Sequence, residues 1–477
     1  MKCKWKESGL ERLRVFQGMI FPLCFVCSFL LNILFFYVGL AYEDNIARKL
    51  GFAAGCLLFA GICVLTLLSA LRRERLSLSR WLLLGLVLVF FAVCYGAAFW
   101  KHGLNGKLLH HAQQFVAFCV PAFCAGICGA MRRGERTFFA VLESFSFLAF
   151  PGAVIYCNST LFDCLPWNYG GDLGILNYMT LAYTFMPFLL AHIISFTRQA
   201  DWTLAFTDRK VRRPQLLRGI FIAFYWVAIM ASATRGAYVC VAGFCALLVL
   251  FALLRRGPAF KPVFCVSAAM ALVLLFNLFI YAPPGFSRMQ RMNLFLDALK
   301  EHQLVTTKED PSVADRLDEL VEMDDDQQVV NHPVDGSEET DPSGSGDGTA
   351  TLQVHNRGTL FKLAIKEFRK SPLTGMGAVS FAIKYGEYPH NAVLEMLCET
   401  GLIGTLLLLP LICWTLIKLL RLGWRDQDSL YLFLFFMAYA IQANLNGSLW
   451  TSPALFCVLG YGITVSPPPK RERAGRS

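Results

Sequence analysis

Twelve apolar runs, each about as long as a bilayer is thick, most constrain what this chain can fold into. They lie near 16–41, 50–71, 81–100, 108–130, 137–156, 173–196, 215–231, 236–254, 262–282, 398–420, 430–446 and 449–466. A spanning helix takes roughly 20 residues. The seventh run and the last two are the shortest. Composition agrees: 16% of residues are charged and mean hydropathy is +0.49, where soluble domains carry about 25% charged residues. The expected class is an all-α polytopic membrane protein with about 12 transmembrane helices. The first run is long enough to span and lacks a clear small-residue cleavage site, so no cleavable signal peptide is expected.

Lysine and arginine collect in cytoplasmic loops and so orient the spans. With the N-terminus inside, the inward segments hold 28 of the 44 basic residues. The short outward connections hold 5: Arg48, Lys49, Lys101, Lys107 and Arg235. The other 11 lie in a loop at 283–390, too long to count. Both termini are therefore expected in the cytoplasm. The net charge of +10 is a membrane-orientation signal, not a nucleic-acid footprint. Of 17 cysteines, most lie within spans, where cysteine is a small, soft apolar residue. Only Cys157 and Cys164 share an outward loop, and the sequence leaves open whether they are bonded.

The layout is thus 1–282 with spans one to nine, an extracytoplasmic loop 283–390, 391–466 with spans ten to twelve, and a cytoplasmic tail 467–477. Within the loop, about 305–350 is acidic, rich in Ser and Gly, and nearly free of aromatics. Such a segment buries too little apolar surface to fold alone, and it lacks the spacing of an EF-hand. Order is expected again at RGTLFKLAIKEFRK, 357–370. Leu360, Phe361, Ala364, Ile365 and Phe368 recur on one side, with Lys362, Lys366, Arg369 and Lys370 on the other. This spacing predicts an amphipathic helix at the outer membrane surface. Ser371, Pro372, Gly375 and Gly377 end it.

The stretch YPHNAVLEMLCETGLIG, Tyr388 to Gly404, then enters span ten with polar residues first. From Asn391 to Leu420 a continuous helix would run about 45 Å, the bilayer with its headgroup layers. Asn391, Glu395 and Glu399 would share a face at headgroup depth, with His390 at the helix mouth beside Pro389. Arg235 sits in the very short connection SATRGAY between spans seven and eight, against the usual charge bias. Arg357 and His390 are expected on the same side. Two guanidinium forks suit phosphate oxygens, and a neutral imidazole takes a proton from a hydroxyl. A lipid pyrophosphate places its charge at this depth.

TRGAY at 234–238, NRGTLFKLAIKEFRKSPLTGMGAVSF at 356–381 and PHNAVLEMLCETGLIG at 389–404 together resemble the O-antigen ligase and polymerase superfamily. The close resemblance covers about a quarter of the chain. It implies a metal-independent, GT-C-like glycosyltransferase at the outer face of the bacterial cytoplasmic membrane, with no cofactor. Its substrates would be an undecaprenyl-pyrophosphate-linked glycan and an acceptor hydroxyl on glycan, lipid or protein. The resemblance puts the acceptor's base on His390 and the pyrophosphate on Arg235 and Arg357. Asn391 and Glu395 of the HN-x-x-L-E pattern take supporting places. The acidic insert is not part of the family's pattern.

Other polar residues have weaker claims. His110, His111, Gln113 and Gln114 open span four and fit a hydrated helix end better than a cavity wall. Arg288 and Arg291 suit lipid phosphates. Gln442, Asn444 and Asn446 end span eleven and meet either sugar hydroxyls or neighbouring helices. His192 is expected near the inner end of span six, away from the site. A transporter or flippase of lipid-linked oligosaccharide is the rival reading, but it predicts polar or broken helices at the midplane and internal repeats. A non-catalytic scaffold would tolerate loss of His390. Ligase and polymerase share these residues, and the sequence does not separate them.

Overall fold

The computed structural model describes residues 77–132, 135–162, 178–198, 202–203, 210–211, 214–231, 234–255, 260–279, 357–424 and 426–464, with isolated positions between 53 and 68. The first span, most of the second, the acidic insert, Arg288, Arg291, the Cys157–Cys164 pairing and the tail lie outside the described residues. Helices dominate what is described. They are α1 (Leu78–His102), α2 (Gly106–Gln114), α3 (Val120–Arg132), α4 (Glu135–Phe162), α5 (Tyr178–Arg198), α6 (Pro214–Ala231) and α7 (Arg235–Arg255). After these come α8 (Phe260–Phe279), α9 (Arg357–Lys370), α10 (Ser380–Tyr385), α11 (Ala392–Gly423), α12 (Gln427–Asn446) and α13 (Pro453–Thr464). A single antiparallel ribbon pairs β1 (Trp202–Thr203) with β2 (Lys210–Val211).

Among the described residues, four stretches are long and apolar enough to cross a membrane: Leu78–His102, Gly106–Ile127, Gly236–Leu254 and Ala392–Gly423. Shorter apolar helices lie at Phe138–Val154, Pro214–Met230, Pro262–Val273 and Pro453–Ile463. These helices overlap the expected spans three to five, seven to ten and twelve, while α5 and α12 overlap the sixth and eleventh. The molecule is a multi-pass membrane protein. In α1 the two faces divide as a lipid boundary requires. Leu84, Val87, Phe91 and Ala98 are buried, while Leu82, Leu86, Val89 and Val93 are exposed. In lipid the backbone must be satisfied within the helix, and α1 stops where Gly103 turns to φ 62° and donates its N–H to Phe99 at 2.9 Å.

Small residues set the closest helix crossing. A Cβ on Gly126 of α3 would fall 2.0 Å from the Cys457 carbonyl of α13, and one on Gly460 would fall 2.2 Å from the Phe123 carbonyl. The two backbones touch because neither carries a side chain there. Elsewhere a buried ion pair joins helices. Arg218 of α6 reaches both oxygens of Glu143 of α4 at 2.7 and 3.1 Å. His192 of α5 pairs with Ser146 at 2.8 Å. A buried charge is tolerated only when its hydrogen bonds are made, and here the bidentate fork makes them. His192 is thus a structural residue, as its distance from the other motifs suggested.

Span ten departs from the expected continuous helix. Gly401 interrupts α11 with φ 64° and ψ −167°. A Cβ there would lie 2.4 Å from the Leu373 carbonyl, so only glycine fits both the dihedral and the space. The break frees backbone groups on both sides, and the 371–377 loop takes them up. Met376 and Gly377 donate to the carbonyls of Cys398 and Glu399 at 2.9 and 3.0 Å. Leu402 and Ile403 donate to Pro372 and Leu373 at 2.8 and 3.1 Å. The SP-x-x-G-x-G turn and the ETG stretch are therefore two halves of one backbone clip. A short helix, 392–400, caps a membrane-length one, 402–423.

The amphipathic helix forms with the predicted bounds, but its buried face is different. Leu360, Leu363 and Ala364 cluster with Phe381 and Cys398, and Phe368, Met376, Tyr385 and Leu394 pack against them. Ile365 is 43% exposed. The helix rests on α10 and the N-terminal half of α11, where Leu394 and Cys398 face it.

Candidate functional site

The last turn of α12 gathers the motifs. Asn391 is the N-cap of α11, its Oδ1 accepting from Val393 and Leu394 at 3.1 and 3.0 Å. Capping fixes the helix entry. Its Nδ2 donates to the Asn444 carbonyl at 3.1 Å. Arg357, the first residue of α9, donates Nη1 to the Leu445 carbonyl and Nη2 to Asn446 Oδ1, both at 3.1 Å. Arg235 is the first residue of α7. Its neighbour Gly236 lies against the same turn, since a Cβ there would be 2.3 Å from the Tyr183 hydroxyl and 3.7 Å from Asn446 Cβ. Tyr238 closes the α6–α7 connection by donating to the Met230 carbonyl at 2.6 Å.

His390 precedes this cap in the left-handed region, at φ 54°, an uncommon conformation for a residue other than glycine. Its Nε2 is 3.0 Å from Glu387 Oε2. A carboxylate only accepts, so this contact puts the ring proton on Nε2 and leaves Nδ1 with a lone pair. Among the described residues Nδ1 has no hydrogen-bond partner. The Tyr388 ring lies 4.3 Å from the imidazole, centroid to centroid. Burial raises the Tyr388 phenol well above its ordinary pKa, the charges of Glu395 and Glu387 add to this, and the Arg357 guanidinium opposes it.

Glu395 and Glu399 do not form the headgroup-depth polar stripe expected of them. Each is 1% exposed and buried in protein. Glu395 accepts from Ser448 Oγ at 2.8 Å and from the Leu449 N–H. Glu399 accepts from the N–H groups of Val379 and Phe381 at 2.8 and 2.9 Å, and from the Trp450 indole. A carboxylate collecting backbone donors is a strong tie. These two hold the segment after α12 and the turn before α10 onto the N-terminal half of α11. The turn includes Val379 at φ 60°, a strained conformation for a β-branched residue that Glu399 stabilises.

The remaining candidates separate. Asn446 and the Asn444 carbonyl are occupied by protein, the second of the two roles foreseen for them. His110 pairs with Gln114 at 3.0 Å within α2. His102 at the end of α1 reaches Ser380 Oγ at 2.9 Å, which ties α1 to the same assembly. Sequence reasoning missed Glu387, Tyr183 and Trp450, gave Tyr388 no role, and placed Glu399 only in a polar stripe. Glu387 alone carried a signal, an acid three residues ahead of His390. Tyr183 and Trp450 belong to distant apolar runs and had none. Among the described residues no group of three or more His, Cys, Asp or Glu is placed to hold a metal ion.

Residues 220–409 match the family model described as O-antigen ligase. Nothing among curated proteins or solved structures matches the chain. The matched region runs from α6 into α11 and contains Arg235, Arg357, His390 and the Gly401 break. This match supports the resemblance to the O-antigen ligase and polymerase superfamily and places an O-antigen ligase domain at residues 220–409.

Proposed function

We propose that the protein transfers a glycan from undecaprenyl pyrophosphate to an acceptor hydroxyl at the outer face of the bacterial cytoplasmic membrane, in a GT-C-like, metal-independent reaction. The observation that carries this reading is the convergence on one turn of α12. Arg357 bonds to it, Asn391 ties His390 to it, and the residue after Arg235 packs against it. His390 accepts the acceptor's proton on its imidazole while Glu387 orients the ring. The acceptor oxygen bonds to the anomeric carbon as the bond from that carbon to the pyrophosphate oxygen breaks. The electron pair leaves with undecaprenyl pyrophosphate, whose charge Arg235 and Arg357 stabilise. Arg357 uses two donors on α12 and its guanidinium carries five, so donors are left for phosphate oxygens. General-base help is commonly worth about 10²–10⁴-fold, and a fixed cation at a leaving group several kcal/mol.

The test is the fate of the donor. Purified protein in proteoliposomes, given the lipid-linked glycan and an acceptor, is expected to release undecaprenyl pyrophosphate in step with product. Movement of intact donor across the bilayer without its cleavage would instead support the transporter reading. Asn391 and Glu395 act by holding the loop, and neither touches substrate in this scheme.

A further inference from the structure

A cavity of about 400 Å³ opens at the far end of the bundle, lined by Ser79, Arg80, Leu83, Trp414, Lys418, Gly462 and Ile463. Lys418 is 26 residues beyond the start of α11, roughly 40 Å from the His390 end at 1.5 Å per residue. The cavity is therefore separate from the glycan site. Its three walls are the first turn of α1, the last turns of α11 and the end of α13. Arg80 and Lys418 bring two cations to it, near enough to interact electrostatically. The Lys418 ammonium also lies 4.5 Å from the Trp414 ring centroid, and Trp414 is 48% exposed.

We propose that this cavity binds the headgroup of an anionic phospholipid from the leaflet opposite the glycan site. A phosphodiester fits two converging cations, and a basic recess between helix ends suits anionic lipid headgroups. The exposed indole marks the depth at which aromatic rings sit between acyl chains and water. Leu83 and Ile463 give the lipid's glycerol and upper acyl carbons an apolar wall. Phosphatidylglycerol carries the required single charge, whereas phosphatidylcholine presents the same phosphodiester masked by its own cation. Free phosphate has the charge but no chain for the apolar wall.

The full-length protein, purified in a neutral detergent, is titrated with dioleoyl phosphatidylglycerol, dioleoyl phosphatidylcholine and inorganic phosphate. Retained lipid is counted by native mass spectrometry, and thermal unfolding is followed in parallel. Phosphatidylglycerol is expected to bind in preference to the other two, with the preference falling as salt is added. Arg80→Gln and Lys418→Gln are each expected to weaken it roughly five-fold, and the double variant about twenty-five-fold. Arg421→Gln removes an exposed cation at the same end outside the cavity and is expected to leave binding unchanged. Equal binding of the two lipids, equal stabilisation by inorganic phosphate, or an equal loss in Arg421→Gln would overturn the proposal. Should the cavity variants fail to fold, the salt dependence of the wild-type lipid preference decides the matter alone: a salt-insensitive preference contradicts the site.

Discussion

Arg357 and Asn446 are joined by a hydrogen bond of 3.1 Å from Nη2 to Oδ1, 89 residues apart in sequence. The bond fixes the start of the amphipathic helix to the end of α12, and a second bond from Nη1 to the Leu445 carbonyl sets the plane of the guanidinium. Arg357→Lys keeps the charge and loses that plane, because an ammonium cannot reproduce a planar fork. Transfer is expected to fall about ten-fold or more, with protein abundance preserved. Asn446→Ala removes one of the two anchors and should give a smaller loss, seen mainly as weaker donor use. A kinetic comparison of both variants at several donor concentrations checks the order.

Glu399 should matter to the fold before it matters to chemistry. Glu399→Gln keeps an acceptor for one donor but turns an amide N–H toward others among Val379, Phe381 and Trp450. A cost of about 1–3 kcal/mol is expected for the unsatisfied buried groups, read as a lower unfolding midpoint in detergent. An unchanged midpoint would mean that the clip at the α11 break does not depend on this carboxylate.

Gly401→Ala meets both a left-handed φ and the Leu373 carbonyl, and should cost about 3 kcal/mol or more. Gly85→Ala in α1 is the matched control, since a Cβ there meets nothing within 4 Å. Expression and thermal unfolding of the pair give the comparison. Equal stability of the two variants would show that α11 runs unbroken.

Much of this was legible in the sequence, and for definite reasons. The helix at 357–370 is bounded by an arginine and by Ser371-Pro372, and apolar spacing sets its period, so its ends are local facts. The grouping of Arg357 with His390 was legible because both sit in motifs flanking one loop. The break at Gly401 was not. Hydropathy does not distinguish a glycine that packs from one that turns, and the partners of the freed backbone groups lie 22–30 residues upstream. Glu395 and Glu399 were misplaced to the headgroup layer because their helical spacing is local information, whereas Ser448, Leu449 and Trp450, which bury them, come from another helix end. The same limit hid Tyr183, an aromatic residue in an apolar run like many others in this chain.

Glu367 gives a pH dependence with a fixed sign. Burial opposes its ionisation, yet the Tyr385 hydroxyl at 2.6 Å, Lys384 at 3.3 Å and Lys370 at 3.4 Å hold its carboxyl below the usual range. A folded pKa below the unfolded value adds stability at higher pH, and that stability is lost as pH falls through the folded pKa. The contact between α9 and α10 should therefore loosen only in acid, below the usual carboxylate range. Hydrogen exchange across 357–385 as a function of pH checks this, and Glu367→Gln should remove the acid transition specific to that segment.

The central claim is that His390 takes the acceptor's proton while the arginines hold the departing pyrophosphate. The most direct measurement compares wild-type protein with His390→Ala in proteoliposomes, following donor binding and undecaprenyl pyrophosphate release on the same samples. Donor binding close to wild type, with release and glycan transfer lost together, is the predicted result. Near-wild-type transfer by a folded, membrane-inserted His390→Ala protein would contradict the account.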